Sequence, residues 1–231
     1  MKLGLLGEVL GHSLSPVIHE KLFQKLGISS TYELIEIPGD TFQKDLPGLL
    51  GRYDGLNVTI PYKVDVIPFL DELSKEAATI GAVNTIARKK SRLMGFNTDY
   101  MGFSRTLDRI DCRMEGKDAV VLGHGGASRA IIQCLFDRKA GAIHVISRHP
   151  DKVDEDFLSF AEKRNVKIES YDSLQEKGDR YLLVNATPVG MYPKTGVSPL
   201  PSDIAAVFPR VGDIIYNPAE TTPINDARRK R

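Results

Sequence analysis

The order of apolar and polar segments predicts an α/β protein in two parts. An N-terminal α/β domain covers residues 1–103, a C-terminal Rossmann-like, doubly wound domain covers 104–231, and a cleft lies between them. Three observations carry this. Strand-like and helix-like apolar patterns alternate from the first residue, which favours a mostly parallel sheet. The alternation breaks at the polar run DCRMEGKD (111–118), and a fresh apolar strand follows. A chain of 231 residues, at roughly 150 per domain, has length for one or two cores.

In the first part, KLGLLG (2–7) reads as a strand. Ser15 and Pro16 then sit at N-cap and first-turn positions. Ile18, Leu22 and Leu26 recur every four residues as the face of an amphipathic helix, and Gly27 supplies its stop. TYELIEI (31–37), DGLNVTI (54–60), AVNTIAR (82–88) and RLMGFN (92–97) follow as strands, with weaker helical patterns between the first three. A helix-like stretch from Tyr100 to Ile110 leads to the break. The second part opens with the strand AVVLG (119–123), a helix from Ala127 to Lys139, the strand AIHVISR (142–148) and a helix through about Arg164. YLLVNAT (181–187) and VGDIIY (211–216) are its later strands. Internal repeats and low-complexity tracts are absent from the sequence.

Composition excludes several classes of function. The formal net charge is +1, and the dense basic run, Arg228 to Arg231, lies at the terminus, so neither nucleic acid nor membrane is an expected partner. No stretch approaches the ~18 apolar residues of a membrane span. Glu8 and His12 interrupt the short apolar start before it becomes a signal segment, so the expected compartment is the cytoplasm. Two cysteines, Cys112 and Cys134, are too few for a disulfide framework. The five histidines are scattered, with His12 and His19 straddling a helix start, and no metal-ligand set is expected. Asn57-Val58-Thr59 fits the N-glycosylation pattern, but that pattern matters only in a secretory compartment.

The turn Gly123-His124-Gly125-Gly126-Ala127 follows a strand and opens a helix, the context of a dinucleotide-binding turn. Glycines let the backbone approach a pyrophosphate, and a helix N-terminus offers it unpaired N–H groups. A tight strand-to-helix connection would have a similar sequence, so the turn alone leaves both readings open. The next strand ends in Ser147-Arg148-His149, with Lys152 nearby and no carboxylate at the tip. An acidic tip would suit the ribose 2′-hydroxyl of NAD, whereas Arg148 and Lys152 suit a 2′-phosphate and favour NADP. Ordinary solvated cations at a helix start are the alternative.

Polar residues of the first part collect at strand ends and the loops after them: Ser13 and Ser15, then Asn57, Thr59 and Lys63, then Asn84, and finally Asn97, Thr98 and Asp99. Parallel strands bring such ends to one edge of a sheet, where ligands bind. Each position also has an ordinary role, with Ser15 as an N-cap, Asn84 as a turn former, Asp99 as the cap of the helix from Tyr100 and Lys63 as a solvated charge.

Taken together and in order, GHSLSP, NVTIPYK, GAVNT, GFNTDYMG, GHGGASRA, VNATPVGM and YNPAETTP closely resemble the shikimate dehydrogenase family, from about residue 4 to 224. The resemblance implies reversible, NADPH-dependent reduction of 3-dehydroshikimate to shikimate, with substrate on the first domain and dinucleotide on the second. It implies Lys63 and Asp99 as the catalytic pair. Ser13, Ser15, Asn57, Thr59, Asn84, Asp99 and Tyr216 are the implied substrate residues. Gly123, His124, Gly125, Gly126, Ala127, Ser147, Arg148, Lys152, Thr187 and Ile214 are the implied cofactor residues. The expected assembly is a monomer or homodimer.

Three departures from the family pattern stand out. Ser147-Arg148-His149 replaces a common Asn-Arg-Thr, and His124 occupies a place often held by an Ala-type residue. Family chains also usually run a few dozen residues beyond the YNPAETTP segment, through a return segment that packs on the first domain. Two alternatives therefore accompany the leading reading. One is a quinate/shikimate dehydrogenase using NAD, and the other a truncated, non-catalytic dinucleotide-binding relative.

Overall fold

The structure, a computed structural model, describes residues 1–11, 13–175 and 180–229. His12 and the last two residues of the terminal basic run lie outside the described residues. The chain forms two compact units, Met1–Thr98 and Asp99–Arg231.

In the first unit the described elements are β1 (Lys2–Gly7), α1 (Ser15–Leu26), β2 (Thr31–Glu36), α2 (Phe42–Leu50), β3 (Gly55–Val58), β4 (Glu72–Leu73), α3 (Lys75–Ile80), β5 (Thr85–Lys89) and β6 (Arg92–Phe96). They build a six-stranded sheet in the order β2-β1-β3-β5-β6-β4. β1 runs parallel to β2 and β3, but β5 is antiparallel to both β3 and β6, so this sheet is mixed. For β5 and β6 the cause is the short link between them, with Lys90 at φ 58°. A parallel pair needs a crossover of about a dozen residues, which that link lacks. The core gathers Leu6, Ile35, Phe42, Leu46, Val58 and Tyr62 between α2 and the sheet.

Helix α1 corrects two expectations. Gly27 does end it in the left-handed conformation at φ 64°, with its N–H bonded to the carbonyls of Phe23 and Gln24. The N-cap position, however, belongs to Leu14, and Ser15 is already the first helical residue. Ser13 takes the capping task instead, its Oγ accepting from the Ser15 N–H at 3.2 Å. The buried face also differs. Phe23 is buried and His19 stacks on Tyr32 at 3.8 Å between ring centroids, whereas Ile18, Leu22 and Leu26 are exposed. The four-residue repeat marked one side of the helix correctly but not the side that meets the sheet.

The second unit comprises α4 (Asp99–Arg109), β7 (Asp118–Leu122), α5 (Gly126–Asp137), β8 (Ile143–Ile146), α6 (Glu155–Glu162), β9 (Val166–Glu169), β10 (Arg180–Asn185), α7 (Ser202–Ala205), β11 (Arg210–Asp213) and α8 (Thr222–Arg229). Its sheet is wholly parallel, in the order β11-β10-β7-β8-β9. Ala119 and Val121 of β7 join one core cluster, and Val120 and Leu122 join another. Successive side chains of a strand point to opposite faces, so this strand is buried on both, which explains its unbroken apolar run. Cys112 and Cys134 are free and buried. No described helix is long and apolar enough to cross a membrane.

Candidate active site

In the first unit the site residues are held by backbone bonds at the ends of β1, β3 and β5. Thr59 continues β3, its N–H bonded to Leu6 O at 2.9 Å. A Cβ on Gly7 would lie 2.6 Å from Leu10 Cδ2 and 2.7 Å from Thr59 Cγ2, so a larger residue would push these side chains away from the β1 end. The chain then turns, with Tyr62 N–H on Thr59 O and Val66 N–H on Tyr62 O. Tyr62 fixes that turn: it is buried, stacks on Phe42 at 4.0 Å, and its hydroxyl donates to Ile37 O. Lys63 follows this anchor directly, and its carbonyl accepts from Val83 N–H at 2.7 Å. The turn is thereby bonded to the residue before Asn84.

Asn84 is buried rather than exposed in a turn. Its backbone carbonyl receives Val58 N–H at 2.8 Å, its Oδ1 accepts from Thr98 N–H at 2.9 Å, and its Nδ2 donates to Thr98 Oγ1 at 2.9 Å. Thr98 is the chain neighbour of Asp99, which opens α4 as its first helical residue rather than preceding it as a cap. A carboxylate there is favoured by the helix dipole. Asn97 is buried, its amide donating to Ala82 O at 3.0 Å. Asn57 is engaged across the sheet, with Oδ1 accepting from the Tyr32 hydroxyl at 2.7 Å and Nδ2 donating to Thr85 Oγ1 at 3.2 Å. Ser13 and Ser15 lie together at the start of α1.

The parallel sheet of the second unit brings its strand ends to one edge: Gly123 after β7, Ser147 after β8, Thr187 after β10 and Ile214 after β11. Strand order reverses between β7 and β10, and such a switch point forms a ligand crevice. Gly123 and Thr187 flank it. Gly123 has φ +91°, and a Cβ there would lie 2.9 Å from Thr187 Cγ2. Beyond it, Gly125 is the N-cap of α5, a Cβ on Gly125 would meet only open space, and the first turn of α5 carries no acid. That helix end suits an anion. His124 packs edge-on against Phe157 at 5.6 Å.

At the end of β8, Ser147 is buried, and its Oγ accepts from His149 N–H at 3.1 Å. Arg148 and Lys152 are exposed and make no ion pair among the described residues. Burial pushes the Tyr171 hydroxyl pKa up, and nearby Arg148 pulls it back. A close glycine turn, an acid-free helix start and two exposed cations fit a dinucleotide carrying a 2′-phosphate.

Sequence reasoning missed the groups that brace this edge. Arg129, in the first turns of α5, is buried, with an Nη on Asp156 at 2.8 Å and its guanidinium 5.3 Å from the Phe157 ring centroid. Asn185 is almost wholly buried, and its Oδ1 accepts from Thr187 N–H at 3.0 Å and from the Thr187 hydroxyl at 2.7 Å. Asp213, at the end of β11, joins the same network. A lone carboxylate closing an apolar strand, as in VGDIIY, was the available signal. No cluster of potential metal ligands occurs among the described residues.

Residues 5–86 match the model of the shikimate dehydrogenase substrate binding domain. A Clostridium perfringens strain 13 protein named shikimate dehydrogenase (NADP(+)) is 44% identical over 224 residues, covering 96% of this chain and 81% of the relative. A protein of the same name from Geobacillus kaustophilus is 36% identical, over 98% of this chain and 83% of its own. Among solved structures, the chorismate mutase/shikimate 5-dehydrogenase fusion protein of Clostridium acetobutylicum superposes with a TM-score of 0.85 at 41% identity, covering 99% of this chain and 82% of that one. Shikimate 5-dehydrogenase of Thermus thermophilus, solved with NADP(H) and shikimate, gives 0.83 at 33% identity, covering 100% and 84%.

Proposed function

Because the chain belongs to the shikimate dehydrogenase family, we propose that its residues divide the family reaction between the two units. The protein is an NADP-dependent oxidoreductase of the shikimate pathway, interconverting 3-dehydroshikimate and shikimate toward chorismate and the aromatic amino acids. NADPH, when bound, supplies the hydride. Gly123 to Ala127 would hold its pyrophosphate at the start of α5, Arg148 and Lys152 its 2′-phosphate, and Thr187 and Ile214 would border it at the ends of β10 and β11.

Reduction of a ketone leaves negative charge on oxygen, so the substrate site needs a cation to stabilise it and a proton to quench it. The Lys63 ammonium supplies both, donating its proton to that oxygen. Asp99 orients the ammonium and accepts from a ring hydroxyl. Ser13, Ser15, Thr59 and Tyr216 bind the substrate carboxylate through their hydroxyls, and Asn84 holds a ring hydroxyl. The Tyr62 anchor supports this reading, because it rigidifies the turn that carries Lys63. Asn57 keeps the strand end in register through Tyr32 and Thr85. We place the protein in the cytoplasm.

The observation that carries the reading is the 44% identity over 96% of the chain to an NADP(+)-dependent shikimate dehydrogenase. The Lys63→Ala variant tests the assignment of chemistry. Its kcat is expected to fall by ~10²–10⁴ with KM for shikimate little changed, since a proton donor acts chiefly in the transition state. A kcat close to that of the parent would remove Lys63 from the mechanism.

A further inference from the structure

We propose that Asp213 is a positioning residue, whose carboxylate holds Thr187 and the segment Ile214 to Tyr216 in their working places. The inference rests on the reading that Thr187 and Ile214 border the dinucleotide and that Tyr216 meets the substrate. Asp213 accepts from three donors on three segments: the Asn185 amide at 3.0 Å, the Thr221 hydroxyl at 2.7 Å and the Ile215 N–H at 3.0 Å. Asn185 in turn presents its Oδ1 to the N–H and hydroxyl of Thr187. Thr221 is buried, and it closes the loop that carries Tyr216.

Only an acceptor-only group satisfies this arrangement, because the Ile215 N–H on one oxygen and the Asn185 NH₂ on the other can only donate. An asparagine at 213 would turn its NH₂ either toward the Ile215 N–H or toward the Asn185 NH₂. Flipping Asn185 to relieve the second conflict would set its NH₂ against the Thr187 N–H. Every orientation thus strands a donor at a residue of the site or beside one. The carboxylate also has no ion-pair partner among the described residues. Burial pushes its pKa up, and the three hydrogen bonds pull it back. Keeping a carboxylate here without a counter-charge is costly even with three donors, and a strand end with a purely packing role would not require it.

The test compares Asp213→Asn and Thr221→Val with the parent for melting temperature, kcat, and KM for NADP⁺ and shikimate. Asp213→Asn, nearly isosteric, is expected to raise KM for NADP⁺ about tenfold, the loss of one charge-assisted hydrogen bond. Thr221→Val, which loosens only the Tyr216 loop, is expected to raise KM for shikimate about threefold with kcat and KM for NADP⁺ nearly unchanged. An Asp213→Asn enzyme that melts lower but keeps both KM values would overturn the proposal, since Asp213 would then serve stability alone. Should that variant fail to fold, Thr221→Val decides: a raised KM for shikimate supports the proposal, and an unchanged one overturns it. Arg148→Ala runs in parallel. If its KM for NADP⁺ is unchanged, the cofactor-site reading itself fails; if it rises while Asp213→Asn is unaltered, only the positioning role is lost.

Discussion

Arg148 shows how much a single side chain can decide. It stands exposed at the end of β8 with Lys152 close in sequence and no carboxylate at the strand tip. A 2′-phosphate would gain charge-assisted bonds worth ~1.5–3 kcal/mol each. Arg148→Ala is therefore expected to lower kcat/KM with NADP⁺ by about 10- to 100-fold while leaving the value with NAD⁺ nearly unchanged. A proportional loss with both cofactors would assign Arg148 to some other task. This residue was legible in the sequence because its meaning depends on charge and position at a strand end. Ser15 was legible only in part. A serine before an apolar run suggests an N-cap, but the cap bond here belongs to Ser13, and a shift of that kind depends on backbone geometry that residue type does not encode. The lone carboxylate of VGDIIY hinted at Asp213, but its link to Asn185 arises only when β10 and β11 pair.

Two glycines end a strand and a helix for different physical reasons. Gly123 ends β7 in a conformation that L side chains rarely adopt, with Thr187 Cγ2 where a Cβ would go. Gly123→Ala is expected to cost ~1–2 kcal/mol in strain, lowering the melting temperature and raising KM for NADP⁺. An alanine variant with parental KM and melting temperature would show that the turn can relax. Gly27, by contrast, has open space around it and serves only to end α1. The edge strand β9 gives a pH test. Burial raises the pKa of Glu169, but the Ser173 hydroxyl, the His144 ring and Arg180 outweigh it and hold the carboxyl below its ordinary value. A depressed folded pKa contributes stability that is fully present above the unfolded value and is lost as pH falls through the folded one. Glu169→Gln should therefore melt below the parent at pH 7, with the gap closing below ~pH 4. A constant gap across that range would rule out the ionised Glu169 carboxylate as its source. β9 itself was missed, since four residues after a charged helix end give too short an alternation to register. The antiparallel hairpin of β5 and β6 departs from the mostly parallel sheet expected, because the alternating pattern marks strands but not their direction.

At the scale of the whole molecule, the fold class was legible because long-range order follows from periodicity. The second unit's continuous apolar strands announce a sheet covered on both faces, and the glycine turn marks its ligand edge. Ordered motifs across nearly the entire chain then identified the chemistry, and the relatives bear that out at the level of family, reaction and cofactor. Which residues touch the substrate is a finer question than periodicity answers, because it requires convergence of side chains from several strands. The most direct measurement is the rate of NADP⁺ reduction when shikimate is added to the purified 231-residue chain, with NAD⁺ and quinate in parallel. Turnover that depends on both shikimate and NADP⁺, and exceeds that with either substitute, is the predicted result. A folded chain that binds NADPH yet shows no shikimate-dependent turnover, or one that prefers quinate with NAD⁺, would contradict it.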